Sequence, residues 1–285
     1  MPFGESTLTW DRGLVCTVSG VRVTDLRMEF SVRKSMENNN NTAVVKIFNL
    51  KEANRKKIAH EADILSLYGG YHQGKHGTLF TGDVQTVVTS VVTPNIVTEV
   101  TAKVADIAHN FGFVNTVLDA DRTAPFDIIR VIHKSMTGVS FGATVGVEGL
   151  PKKKRPMVVC GGVSAELNKV CRDNQLHWSV QNGELEVVAF DEALPVAVVV
   201  SKDTGMIGSP EPTELGVNVK TLLDYSIAPN KLIDVRSRVI SGLFRVSEVV
   251  YSGNNMDGEY VCSIKGTRFV GTTVAKKPLY KGDIQ

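Results

Sequence analysis

Cysteine is scarce in this chain and scattered. Cys16, Cys160, Cys171 and Cys262 form no C-x-x-C pair and have no histidine at metal-ligand spacing, which points to neither a zinc site nor a disulfide framework and fits a reducing compartment. Aromatics are few, at 7%, with only Trp10 and Trp178 as tryptophans, poor material for a sugar-binding face of stacked rings. No apolar run reaches the roughly 18 residues that span a bilayer, and the start Met-Pro-Phe-Gly-Glu-Ser lacks the basic and apolar regions of an export signal. A soluble chain without stable membrane insertion is expected. Excess charge is missing as well: 32 basic against 30 acidic side chains leave +2, which excludes nucleic-acid binding by net charge alone. There is no G-x-S-x-G elbow to anchor nucleophilic catalysis. No enzyme activity, catalytic residue, metal or cofactor is therefore expected.

What is present is 285 residues with 42% apolar side chains, chain enough for one large or two to three small domains. The stretch Val158 to Val188 reads as a complete small unit. Gly161-Gly162 breaks a short apolar run, Ser164 stands where an N-cap belongs, and Glu166 puts negative charge in the first turn. Leu167, Val170, Cys171 and Asn174 then form a helical stripe with one polar break. The β-prone runs His177 to Gln181 and Glu184 to Ala189 meet at Asn182-Gly183, the dipeptide of a tight two-residue turn. Helix and hairpin cannot bury both faces alone, so the unit must pack on something else.

Around it the chain is mostly β. Residues 8 to 34 alternate as one or two strands, a polar loop follows at Asn38 to Asn41, and Thr42 to Phe48 is a β-branched strand. Asn49 with Glu52 reads as a variant capping box opening a helix through about His60, with a Glu52 to Lys56 pair. Ile64 to Tyr71 and Thr78 to Val84 form a hairpin, and Val84 to Val92 with Ile96 to Val104 a second, longer one. A helix starts at Pro125 with Ile128, Ile129, Ile132 and Met136 on one face, and Gly-rich chain runs from Gly138 to Gly149. Gly205 to Pro212 is too rich in Gly and Pro for a regular element. Four strands follow: Gly216 to Leu223, Leu232 to Ser237, Leu243 to Tyr251 and Glu259 to Phe269. The resulting class is α+β, mainly β. Its expected division is an antiparallel β domain over 1–108, a small α/β domain over 109–195, a second β domain over 196–270 and an extended tail over 271–285.

Candidate sites are sparse. Gly161-Gly162-Val163-Ser164 could cradle phosphate, but it lacks the Lys-Ser/Thr ending of a P-loop and the third glycine of a dinucleotide fingerprint; helix capping is the plainer reading. His72 and His76 are four apart but sit in a Gly-containing loop, where that spacing converges no imidazoles. His60, His109, His133 and His177 have no matched neighbours in sequence. Lys152, Lys153, Lys154 and Arg155, four cations between two prolines, are the one candidate contact with DNA or an acidic partner, against a plainly solvated loop.

In their order and spacing, several stretches resemble the central baseplate hub proteins of phage tails, the family related to the late-control-D proteins and the base of the type VI secretion spike. They are the strand into Asn49-Leu50, the Phe80-Thr-Gly-Asp-Val84 hairpin, Leu167 to Gly183, and Thr204 to Pro210 leading to Leu232 to Ser237. The resemblance implies a homotrimer with two β-barrel-like domains per chain, a pseudo-sixfold ring joining the six-fold tail tube to the three-fold central spike around the DNA channel. It implies as partners the chain itself, tube protein, spike and other baseplate proteins, with DNA only in passage. It implies a virion tail baseplate, assembled in the host cytoplasm, with a preference for contractile tails. The rival classes are a tail-borne cell-wall hydrolase and a receptor- or glycan-binding tail-tip protein.

Overall fold

Period-two patterning builds most of the structure, a computed structural model that describes residues 11–37, 41–58, 63–72 and 74–269. The first third carries β1 (Arg12–Val18), β2 (Val21–Val23), β3 (Met28–Ser35), β4 (Thr42–Phe48), α1 (Glu52–Ile58), β5 (Ile64–Tyr71), β6 (His76–Val92) and β7 (Asn95–Lys103). In β3, Met28, Phe30 and Val32 point inward while Ser31 and Arg33 face solvent; in β4, Ala43, Val45 and Ile47 are the inward set. The middle carries α2 (Asp106–Phe111), β8 (Phe113–Leu118), α3 (Pro125–His133), β9 (Ser140–Val145), β10 (Met157–Gly162), α4 (Val163–Asp173), β11 (Leu176–Gln181) and β12 (Glu184–Ala189). The last part carries β13 (Leu194–Ser201), β14 (Met206–Pro212), β15 (Gly216–Leu222), β16 (Lys231–Arg236), β17 (Ser241–Asn254) and β18 (Tyr260–Arg268).

Strands from both ends of the chain merge into one 13-stranded sheet, in the order β14-β15-β18-β17-β3-β4-β7-β6-β5-β1-β2, with β16 and β13 attached beside β17. The seam is β3 against β17, antiparallel from Glu248↔Ser35 to Asn254↔Glu29. The expected barrel-like units meet an open sheet: among the described residues the pairing runs from β14 to β2 without closing. The sheet nonetheless curls. Tyr260 of β18 donates its hydroxyl to Gly13 O on β1 at 2.8 Å and accepts from Gly70 N on β5 at 3.0 Å. Its ring meets Phe30 and Tyr71 edge-on, with centroids 5.7 and 5.6 Å away.

The middle segment makes a β8–β10 ribbon and a sheet in which β12 pairs antiparallel with β11 and parallel with β9. Asn182 and Gly183, at φ 52 and 84, make the tight turn expected of that dipeptide. As its one-sided patterning requires, this unit packs against other chain: Val159, Leu167, Val170 and Trp178 belong to the same buried cluster as Phe30, Val100 and Phe244.

Several expectations need correction. Gly205 to Pro212 is not irregular, since Met206 to Pro212 form β14. An edge strand tolerates proline because its outer N–H groups are not needed, and a register shift between Ile207 and Glu211, with Gly208 at φ 73, absorbs the misfit. Residues 12 to 35 hold three strands rather than one or two. Gly162, not Ser164, caps α4; Ser164 is the second residue of the helix, and its hydroxyl donates to His109 O at 3.2 Å. Asn49 turns its side chain to the β6–β7 hairpin, accepting from Ile96 N at 3.0 Å and donating to Asn95 Oδ1 at 2.9 Å, although the Glu52 to Lys56 pair forms at 2.8 Å. The short α2, β8 and β9 carry no strong periodic signal. Asn38 to Asn40, His60 and the tail from residue 270 lie outside the described residues.

Candidate functional site

The basic run sits on a loop. Lys152, Lys153, Lys154 and Arg155 are all exposed, between β9 and β10. Two bonds hold the loop to the turn after β8: Lys153 N donates to Thr123 O at 3.4 Å, and Thr123 Oγ1, itself buried, donates to Lys153 O at 2.6 Å. No acidic side chain among the described residues forms an ion pair with the four cations.

The histidines do not converge. His72 lies 3.9 Å from Asp11, and His76 Nδ1 contacts Gly74 O at 3.0 Å. His109 stacks on Trp178 and bonds Ser164 Oγ at 3.1 Å, which occupies the hydroxyl that a phosphate would need. His133 Nε2 contacts Val139 O at 2.9 Å. His177 stacks on Phe190, and burial, helped by the Arg245 charge, pushes it down to about 4. Among the described residues no three His, Cys, Asp or Glu side chains gather as a metal site.

A polar junction, which sequence reasoning missed, ties the middle segment to the sheet. Lys34 follows Val32 in the inward phase of β3, so alternation places a lysine at a core position, 3% exposed. Its Nζ donates to Asn182 Oδ1 at 2.7 Å, at the tip of the β11–β12 hairpin, and lies 5.9 Å from the centre of the Tyr251 ring. Nearby, Asn41 Nδ2 donates to Val180 O at 2.7 Å and Gln181 Nε2 to Ser35 O at 2.9 Å. Arg245 of β17 ties the far end of β12, with Nη1 donating to Ala189 O at 3.2 Å and Glu192 O at 2.8 Å. Burial lowers the Lys34 ammonium to about 7 and lifts the Glu186 carboxyl to about 7, each attracted by the other's charge. Glu186 is partly exposed as a residue, yet its Oε2 is enclosed. Perturbed acid and base pairs occur at catalytic sites, but this one lies inside a packed joint, so its chemistry is attachment. The phase of Lys34 in MEFSVRKS was the one visible signal for it.

A protein-family profile described as Baseplate hub gp41 matches residues 7–246. The chain belongs to this baseplate hub family. Solved structures share this chain's fold at low sequence identity. The 43 kDa tail protein of prophage MuSo2 from Shewanella oneidensis has a TM-score of 0.66 at 9% identity, covering 90% of this chain and 97% of that one. The tail protein from Neisseria meningitidis MC58 has a TM-score of 0.65 at 9% identity, covering 91% and 97%. The E. coli c3393 protein, described as a component of the type VI secretion system, has a TM-score of 0.63 at 9% identity, covering 89% and 76%. No curated relative matches this chain by sequence.

Proposed function

We propose that the protein is the structural hub of a phage tail baseplate: a homotrimeric, pseudo-sixfold ring that joins the six-fold tail tube to the three-fold central spike and surrounds the DNA channel. The observation that carries this reading is the family match across residues 7–246. Residues 1–108 and 196–270 act as two equivalent β halves of one open sheet, meeting at the β3–β17 seam, with 109–195 set to the side. The seam supports this, because it joins a strand from each half edge to edge within one sheet. A closed ring of identical chains needs matching surfaces head to tail, and it also covers open strand edges such as those of β2 and β14 at the two ends of the sheet.

In this role the chain performs no catalysis and holds no cofactor. Its partners are its own copies, the tube protein, the spike and other baseplate proteins, with DNA only passing through. It resides in the virion, in a contractile tail assembled in the host cytoplasm, and Lys152, Lys153, Lys154 and Arg155 serve as a partner contact. Quantitative mass spectrometry of purified tails tests the stoichiometry. Three copies per tail are expected; six copies, or none, overturn the reading.

A further inference from the structure

The β8–β10 ribbon is apolar on both faces. Its inner face, with Val114, Leu118 and Val159, is part of the core. On its outer face Phe113, Val117 and Val158 are 62%, 69% and 61% exposed, and Phe111, at the end of α2, is 80% exposed. Val117 and Val158 are direct cross-strand neighbours, and Asn115↔Cys160 is the next outward pair. An antiparallel ribbon that shows one face to water ordinarily alternates apolar-in with polar-out. Exposed apolar side chains gathered on one ribbon face in this way mark a place of contact.

One end of that face is charged. The Lys152 to Arg155 loop leads into β10 at the end where Met157 pairs with Leu118, and its bonds to Thr123 hold it there. The acids on the adjoining turn, Asp119 and Asp121, are exposed and number two against the four cations of the loop, so positive charge remains in excess.

We infer that the outer face of the β8–β10 ribbon, with the Lys152–Arg155 loop, docks a segment of another baseplate protein whose apolar side chains end in a cluster of carboxylates; this rests on the hub reading above. The occupant follows from both halves of the surface. DNA would satisfy the cations and leave Phe113, Val117 and Val158 without apolar contact. A second copy is disfavoured by charge. Like faces would each carry an excess of cations, and one further exposed apolar tip, at Val88, Val91 and Val92, lies in a stretch, residues 86–98, with no acidic side chain. An apolar segment flanked by carboxylates complements the whole surface.

Cys160 supplies the probe, because it lies on this face and is exposed while Cys16, Cys171 and Cys262 are buried. The rate of maleimide labelling at Cys160, located by peptide mass and checked with Cys160→Ser, is compared between the purified protein and DNA-free tails. Labelling at least tenfold slower in the tails is expected. Equal rates with the protein present in the tails overturn the docking inference and leave the hub reading standing. Absence of the protein from the tails overturns both. Protection already seen in a purified oligomer assigns the face to a second copy, and protection present in DNA-filled particles but missing from the DNA-free tails assigns it to DNA; either result overturns the inference.

Discussion

Lys34 Nζ and Asn182 Oδ1 meet at 2.7 Å, which pins the tip of the β11–β12 hairpin to a lysine in the core phase of β3. The lysine lies next to the β3–β17 seam, since Lys34 pairs with Val249. One polar contact therefore links the middle segment to strands from both ends of the chain. Two neighbouring contacts, Asn41 to Val180 O and Gln181 to Ser35 O, repeat the link. Such a joint fixes orientation as much as it stabilises, because each buried polar atom must find its one partner.

The joint makes stability depend on pH. Glu186 has its folded value raised from 4.5 to about 7, so the folded state holds a proton that the unfolded state releases. Its contribution is complete below about pH 4.5 and lost as pH rises towards 7. Lys34 is lowered from 10.5 to about 7, so its cost is largest below pH 7 and is relieved as pH rises towards 10.5. Glu186→Gln mimics the protonated acid. In urea unfolding, wild type and Glu186→Gln should match closely at about pH 4, and the variant should be more stable at pH 8 by about 2 kcal/mol, a shift discounted for partial exposure. A difference that does not change with pH would show that Glu186 is not held neutral.

Tyr260→Phe removes the hydroxyl that donates to Gly13 O and accepts from Gly70 N. Both backbone groups are then left enclosed without that partner. The expected loss is about 1–3 kcal/mol of unfolding free energy, read by denaturant titration. A loss under about 0.5 kcal/mol would mean that water replaces the hydroxyl.

Gly70→Ala should cost more than about 2 kcal/mol. Gly70 has φ +147, and an added Cβ would lie 2.3 Å from Lys75 O and 2.4 Å from His76 Cα, backbone atoms that cannot swing aside. Gly162→Ala is the control, since nothing lies within 4 Å of its added Cβ and it has φ −64. Equal unfolding midpoints for the two variants would contradict the close approach at Gly70.

Replacing Lys152, Lys153, Lys154 and Arg155 together by Ser should leave the unfolding free energy within about 0.5 kcal/mol of wild type, because all four side chains are exposed. Circular dichroism and a urea titration check this. Collapse of the fold would show that the loop is held by more than its backbone bonds to Thr123.

Much of the fold was legible where a single period governs a segment. TAVVKIF became β4, the stripe of Ile128, Ile129 and Ile132 became α3, and Asn182-Gly183 became a hairpin turn, each because a local pattern states which face is buried. The β3–β17 seam was not legible, since it joins segments more than two hundred residues apart and no local feature of either names its partner. Nor was β14, where edge position overrides glycine and proline content. At the junction, the inward phase of Lys34 was visible, but Glu186 looks like any outward residue of ELEVVA until the hairpin docks. Ser164 failed as a cap because a tertiary partner, His109, claims its hydroxyl.

The central claim is the ring. A cryo-electron reconstruction of the intact tail, resolved well enough to trace strands, tests it most directly. The account predicts three copies closed around the axis at the end of the tube, with residues 1–108 and 196–270 of each copy making equivalent contacts to successive tube subunits. Six copies, a position away from the axis, or two halves in unlike contacts would contradict it.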